Sequence, residues 1–352
     1  VPLTGLLLVP LIVVAVVLSM LWPAGAQWLV QGLAARLDAL WPALQGIAAW
    51  RYAQWWTPAL PLTLGVAASL AAVCATLLPG WWRGIGAIAL LSVIAWRPPG
   101  IVAPGFDLAL LDAGDATLAV ISSRSTVVVY FLGSGNSLGP DLGAGVLLPY
   151  LRSRGRRRID LLIYGRADAA HATGLDAVFR DMPVSQVLGG GDPSAPCLAG
   201  QGFEQDGLTL RVLAPLRAEV SGAGASCVLW VGNARAAVLL SGDLDRAAER
   251  ALLAQAMLRP VTLVVVPARG SPRASSGELI AALRPRWAVV AAAHLNRYGY
   301  PRPAVLERWT AAGAQVRQVS QEGAMVLRVP PRGPIELPPG ERLAAPRYWT
   351  AK

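Results

Sequence analysis

The alternation of apolar and polar positions divides the chain in two. Up to residue 96 the apolar stretches are long and almost free of charge. From residue 106 onward they shorten to runs of four to eight, broken by turn residues. Runs of that length, rich in Val, Ile and Leu, predict buried strands. Strands are expected at 106–111, 118–121, 126–132, 159–164, 184–188, 208–213, 227–231, 236–240, 261–266, 287–290, 316–319 and 324–329. Helical spacing predicts helices at 144–154, 172–179, 245–257, 276–283 and 305–312. Strands first, then strands alternating with helices, predict a layered α/β sandwich. Residues 97–105, rich in Pro and Gly, mark a linker. The segment 330–352 carries Pro331, Pro334, Pro338, Pro339 and Pro346 and is expected to be extended or disordered.

The front of the chain suggests a bilayer. Residues 1–22 and 58–78 are apolar and long enough to cross one, and 81–96 is long enough if its flanks snorkel. Three crossings are therefore expected within 1–96. The stretch at about 25–56 holds Trp28, Trp41, Trp50, Trp55 and Trp56 among scattered polar groups. That mixture suits an interfacial amphipathic segment, and equally a helical hairpin outside the membrane. Residue 1 is Val within an apolar run, with no charged leader or small-residue cleavage site. The expectation is the carboxyl-terminal piece of a larger protein, not a signal peptide.

Charge sharpens the division. Residues 1–96 contain Arg36, Arg51, Arg83 and Asp38, a net of +2, so the rest holds +8 of the total +10. A basic domain behind an apolar front favours nucleic acid or anionic headgroups as partners. It is equally compatible with arginine used for solubility. Cys74 falls in an apolar stretch. Cys197 and Cys227 fall in the second half, without the spacing of a zinc site. They are compatible with a disulfide in an oxidising compartment.

Candidate chemistry centres on residues 165–174, GRADAAHATG, a polar loop after the apolar 161–164 run. Such a loop at a strand's carboxyl end is where α/β folds place chemistry. Its spacing resembles the His-x-His/Asp-x-Asp-His loop of the metallo-β-lactamase fold. The four ligand positions there become Arg166, Asp168, Ala170 and His171.

Further motifs extend the resemblance. They are Asp112-Ala113-Gly114-Asp115-Ala116, Leu148-Pro149-Tyr150-Leu151-Arg152, Ala225-Ser226-Cys227-Val228-Leu229, Ser241-Gly242-Asp243, Pro267-Ala268-Arg269-Gly270-Ser271 and Asn296-Arg297-Tyr298-Gly299-Tyr300-Pro301. In this order, behind these apolar stretches, residues 106–329 resemble the metallo-β-lactamase-like domain that ends ComEC-type competence proteins. The resemblance implies α-helical membrane segments followed by a four-layer αββα sandwich. It implies a multi-pass place in the bacterial inner membrane, with the domain facing the periplasm or cell exterior. The implied partners are DNA, the lipid bilayer, other DNA-uptake machinery and the remainder of an N-terminal channel region. The implied role is passage of single-stranded DNA in natural transformation.

A two-metal hydrolase needs several His and Asp ligands to hold its ions and generate hydroxide. This sequence has two histidines, His171 and His294. The family's His positions become Arg166, Ala268, Arg269 and Tyr300, its second-metal Asp becomes Ala170, and its early Asp-Thr-Gly turn reads Gly133-Ser134-Gly135. Asp168, His171 and Asp243 remain as a vestigial ligand set. The expectation is no cofactor and no catalytic residue, in a domain that binds or guides DNA without cleaving it. The alternative is a residual periplasmic nuclease on the non-transported strand, using one weakly held zinc or manganese. Arg166 and Arg269 are expected to pair with Asp168 and Asp243, or to present a phosphate site. The dense run Arg152, Arg154, Arg156, Arg157 and Arg158, with Arg297, is read either as contacts to DNA phosphates or as a solvated helix end. Charge reversal that left DNA binding unchanged would remove the first of these. Cys197 and Cys227 match a cysteine pair of the family's domain, which implies a disulfide, with two buried thiols as the alternative. His294 matches no ligand position.

Overall fold

The apolar runs of the second half form the strands of two sheets. A computed structural model describes residues 9–50, 58–77, 79–133, 141–166, 174–192, 194–217 and 222–347. It divides into two compact units, Val1–Trp56 and Thr57–Lys352.

The first unit contains α1 (Val9–Leu21) and α2 (Pro23–Ala49). Gln27, Gln31, Arg36, Asp38 and Gln45 interrupt the apolar surface of α2, which keeps Pro42 inside it. The second unit opens with α3 (Leu62–Leu77) and α4 (Trp81–Ile94). These two pack on a small-residue seam. A Cβ on Gly86 would run into the backbone at Ala71 and Ala75, so glycine sets how closely the helices approach. Their other faces expose Leu62, Leu70, Leu77, Ile88 and Leu91.

The described residues do not show the three expected crossings. Among the described residues no helix is long and apolar enough to cross a membrane. For two of them the reason is length: α3 and α4 have 16 and 14 residues, and α1 is described only from Val9 onward. At about 1.5 Å per residue α3 and α4 fall short of a hydrocarbon core about 30 Å thick. The long helix, α2, carries the polar groups.

The sandwich follows in the order β1 (Phe106–Ala113), β2 (Ala116–Ser122), β3 (Val127–Leu132), α5 (Leu148–Ser153), β4 (Ile159–Tyr164), α6 (Asp176–Asp181), β5 (Val184–Gly189), β6 (Gly202–Gln205), β7 (Leu208–Ala214), β8 (Val228–Gly232) and β9 (Ala237–Leu240). It continues with α7 (Arg246–Ala254), β10 (Leu263–Val265), α8 (Gly277–Leu283), β11 (Trp287–Val290), α9 (Pro303–Ala311), β12 (Gln315–Gln318), α10 (Val319–Glu322), β13 (Met325–Val329) and α11 (Glu341–Ala344). One sheet has the order β13-β1-β2-β3-β4-β5 and the other β12-β11-β10-β9-β8-β7-β6.

Burial explains the layers. Leu108, Tyr130, Ile163, Leu229, Val238 and Val289 are buried between the sheets. The opposite face of the first sheet packs Val129, Phe131 and Leu162 against Leu148, Leu151 and Val178 of α5 and α6. The opposite face of the second packs Leu239, Val264 and Ala288 against Leu252, Leu279 and Trp309 of α7, α8 and α9. This is the expected four-layer αββα order. The central strands are apolar on both faces because both faces are covered. Two of the outer helices start at polar caps: the Asp245 carboxylate accepts from Ala248 N at 2.9 Å, and Ser276 Oγ from Leu279 N at 3.3 Å.

The chain beyond Pro330 is largely extended, with a short helix at α11. Through residue 347 it folds onto the sandwich. Leu337 is buried, Arg328 and Glu336 exchange backbone hydrogen bonds, and Arg235 donates to the carbonyls of Pro330 and Gly333. Arg342 pairs with Asp112 of β1. The prolines shape an extended path that a buried leucine, a backbone pair and two arginines hold in place.

Candidate functional site at the carboxyl ends of the strands

Strands β3, β4, β9, β10 and β11 deliver their carboxyl ends to one edge of the sandwich, together with the β1–β2 turn. Backbone closes the seam between sheets there, with Cys227 N donating to Gly165 O at 2.7 Å. Tyr130 Oη, fully buried, donates to Cys227 O at 2.8 Å. Burial first, and the Asp243 charge second, push its phenol far above the ordinary range. Gly242 has φ +58°, and a Cβ there would collide with Ser226 Oγ and Tyr130 Oη. Ser226 Oγ accepts from Asp243 N at 2.8 Å. Asp243 therefore stands in a fixed position at the end of β9.

Two guanidiniums converge on it. Arg166 Nη1 lies 3.7 Å from one Asp243 oxygen and Arg269 Nη2 3.7 Å from the other. All three side chains are largely buried. Arg269 reaches this position through unusual backbone: Ala268 and Arg269 both have positive φ, 45° and 58°. Each such non-glycine residue costs about 1 kcal/mol or more. The turn is held by Ala268 N to Gly242 O at 2.9 Å and by Arg269 Nη1 to Asp115 O at 3.0 Å. Asp115 Oδ1 in turn accepts from Ala293 N at 3.1 Å. The Arg269 Nε donor is buried and meets no acceptor among the described residues.

An aromatic step adjoins the arginines. Tyr298 and Tyr300 stack with centroids 5.5 Å apart, Arg297 lies 4.7 Å from the Tyr298 centroid, and Arg269 lies 5.9 Å from it. Asn296 builds this turn: its amide donates to Ala293 O and Tyr300 O, and its carbonyl accepts from Tyr298 N and Tyr300 N. Tyr298 and Arg297 are exposed, as is Leu295 beside them.

The structure brings Arg166, Asp243, Arg269 and Arg297 together. Asp168 and His171 lie outside the described residues, as does any pairing of an arginine with Asp168. His294 is exposed. Among the described residues no group of three His, Cys, Asp or Glu side chains converges as a metal site. The described residues do not fit a metal ion: Asp243 is flanked on both oxygens by guanidiniums, which bring fixed positive charge to the place where an ion would have to bind.

The dense arginine run lies elsewhere. It precedes β4, so it sits at the opposite end of that strand, about 20 Å away at about 3.3 Å per residue. It is also divided in its partners. Arg152 pairs with Asp181 at 3.3 Å and Arg158 with Asp160 at 2.9 Å. Arg156 donates to the carbonyls of Ser123 and Arg124 at 2.6 and 3.3 Å. Arg154 and Arg157 are exposed. The run and Arg297 lie at opposite ends of the strands and do not form the one surface expected of them. Cys197 and Cys227, both fully buried, are joined in a disulfide with Cα atoms 5.9 Å apart. Asp115 and Tyr298 were missed as site residues. Both stood in quoted motifs, but only the fold aims them at this edge.

Fold and site define an αββα sandwich of the metallo-β-lactamase-like arrangement, with arginines at its ligand end. No family model matches the chain. The chain is similar to Competence protein ComA of Neisseria gonorrhoeae, 29% identical over 292 residues, covering 80% of this chain and 41% of that protein. Recombination protein 2 of Haemophilus influenzae is 26% identical over 215 residues, covering 58% of this chain and 26% of its own length. ComE operon protein 3 of Bacillus subtilis is 25% identical over 207 residues, covering 53% and 27%. Among solved structures, the metallo-β-lactamase fold protein YhfI from Bacillus subtilis has a TM-score of 0.45 at 7% identity, covering 64% of this chain and 99% of that one. The diiron β-hydroxylase CmlA from Streptomyces venezuelae has a TM-score of 0.41 at 14% identity, covering 72% and 58%. By its motifs and by these competence relatives the chain is similar to ComEC-type proteins. The chain spans 41% or less of the length of these relatives.

Proposed function

We propose that this chain is part of an inner-membrane channel for uptake of single-stranded DNA in natural transformation, and that its sandwich binds the strand without cutting it. One observation carries the reading: Arg166 and Arg269 occupy the two sides of Asp243, beside the exposed Tyr298 and Arg297. Guanidiniums bind phosphate oxygens, and a tyrosine face stacks on any base without reading its identity. Hydrolysis of a phosphodiester by this fold would need a cation beside Asp243 to activate water, and the arginines oppose that.

The competence relatives support DNA uptake as the setting. The exposed leucines and isoleucines of α3 and α4 support contact with lipid, or with further channel segments. The buried disulfide supports an oxidising, periplasmic or exterior, side for the sandwich.

The test is binding of a labelled single-stranded oligonucleotide to the whole chain in neutral detergent, across a series of salt concentrations. Affinity should fall with salt, and Arg269→Gln and Arg297→Gln should each flatten the log–log slope by about 0.7. The strand should stay intact when zinc or manganese is supplied. Unchanged slopes would overturn the DNA site. Cleavage lost on Asp243→Asn would overturn the non-hydrolytic reading.

A further inference from the structure

The other end of the sandwich carries a cleft that the DNA reading does not use. It has a volume of about 230 Å³ and lies between the segment leaving α4 and the domain. Arg97, Arg124, Arg154 and Arg156 line it, together with Asp107 of β1 and Tyr150. Four arginines and one carboxylate thus share one cleft. Burial pushes that carboxyl up, against the downward pull of Arg154, Arg328 and Arg156.

Three of these arginines have contacts of their own. Arg97 Nη1 donates to Trp96 O at 2.9 Å, Arg154 lies 5.6 Å from the Tyr150 ring centroid, and Arg156 is held by the Ser123 and Arg124 carbonyls. Arg97, Arg124 and Arg154 remain exposed.

A second, apolar pocket of about 370 Å³ adjoins this cleft and shares Ile101 and Asp107 with it. Val102, Val329, Pro330 and Pro331 line it, with Arg328 and Glu336 among its polar residues. A basic cleft beside an apolar one matches a molecule with an anionic head and an apolar body. The wall that carries Arg97 follows directly on α4, whose outer face exposes Ile88 and Leu91.

We propose that this paired cleft binds an anionic phospholipid. The arginines take the phosphate, and Ile101, Val102 and Pro331 take the start of the acyl region. Any phosphate ester shares the head chemistry. The apolar neighbour and the continuity with an exposed apolar helix select lipid. The inference does not rest on DNA binding at the opposite edge.

The experiment uses the whole chain in neutral detergent, titrated calorimetrically with four probes. These are short-chain phosphatidylglycerol, phosphatidylcholine of the same chain length, glycerol phosphate, and a single-stranded oligonucleotide. Phosphatidylglycerol should bind at least about tenfold tighter than phosphatidylcholine or glycerol phosphate. Arg97→Gln and Arg154→Gln should each weaken it by about fivefold. Arg250→Gln, on the distant α7, should leave it unchanged. Equal binding of the two lipids, unaffected by Arg97→Gln and Arg154→Gln, would overturn the proposal. So would glycerol phosphate binding as tightly as phosphatidylglycerol, which would mean a site for small phosphate esters. Displacement of phosphatidylglycerol by the oligonucleotide, with both losing affinity in the same variants, would assign the cleft to nucleic acid and overturn it as well.

Discussion

The two ends of the sandwich use the same side chain in opposite ways. At the carboxyl ends of the strands, Arg166 and Arg269 are largely buried and converge on Asp243. At the other end, Arg97, Arg124 and Arg154 are exposed around a cleft, and Asp107 lies deeper beside them. Buried guanidiniums paired with a carboxylate are held in one orientation, so any donor they offer a phosphate is fixed in place. Exposed ones are free to move and raise the local potential for an incoming anion. Burial, not the density of arginine along the chain, separates the two roles. The dense run at 152–158 illustrates this: Arg152, Arg156 and Arg158 are engaged with the domain itself.

This contrast can be broken experimentally. The largest effect is expected from the disulfide beneath the carboxyl-end site. Its partners are 30 residues apart in sequence, and loop-closure entropy for such a loop is about 4 kcal/mol. Cys197→Ala should lower stability by about that amount in urea unfolding. A reductant should reproduce the loss in the native chain.

Asp243→Ala comes next. It leaves two largely buried guanidiniums beside a vacated position, at a cost of about 3 kcal/mol. Arg154→Gln, at the exposed end, should change stability by less than about 0.5 kcal/mol. Equal effects at the two ends would remove the distinction.

The third prediction concerns alkaline pH. Burial first, and Asp176 second, raise Tyr164 to about 12 from 10.0, and Tyr130 is raised further. Both phenols keep their protons in the folded state while the unfolded chain ionises. The stability they contribute is fully present below pH 10 and is lost as pH rises, for Tyr164 between about 10 and 12. The loss is about 1.4 kcal/mol per pH unit for each tyrosine. Tyr164→Phe should flatten that fall, measured as the denaturant midpoint against pH.

Much of the fold was legible in the sequence because the central strands are buried on both faces. Runs such as Val127–Leu132 and Leu263–Val265 have no other soluble solution than a covered sheet. β6 was not legible: Gly202–Gln205 is a polar edge strand with no apolar pattern. The contacts of the tail were not legible, because its prolines describe a path and not its partners, which depend on Leu337, Arg235 and Arg342 meeting a distant surface. The apolar helices were legible as apolar, but their lengths were not, since turns and proline stop them short of the apolar runs.

At the site, the motif positions led to an expected pairing of Arg166 and Arg269 with Asp168 and Asp243; the structure describes the Asp243 part, and Asp168 lies outside the described residues. The aromatic step was not legible, because Tyr298 joins Arg269 only through the turn that Asn296 organises. The link between Arg297 and the 152–158 run failed for a related reason. Sequence density cannot show that one lies after a strand and the other before it.

The most direct measurement compares the two ends in one titration. The whole chain, its Tyr298→Ala variant and its Arg154→Gln variant would be titrated into a labelled single-stranded oligonucleotide and followed by fluorescence anisotropy. Tyr298→Ala should weaken binding by about tenfold, the loss of one stacked base, and Arg154→Gln should leave it unchanged. Full affinity in Tyr298→Ala, with the loss appearing in Arg154→Gln, would place DNA at the wrong end of the sandwich and contradict the account.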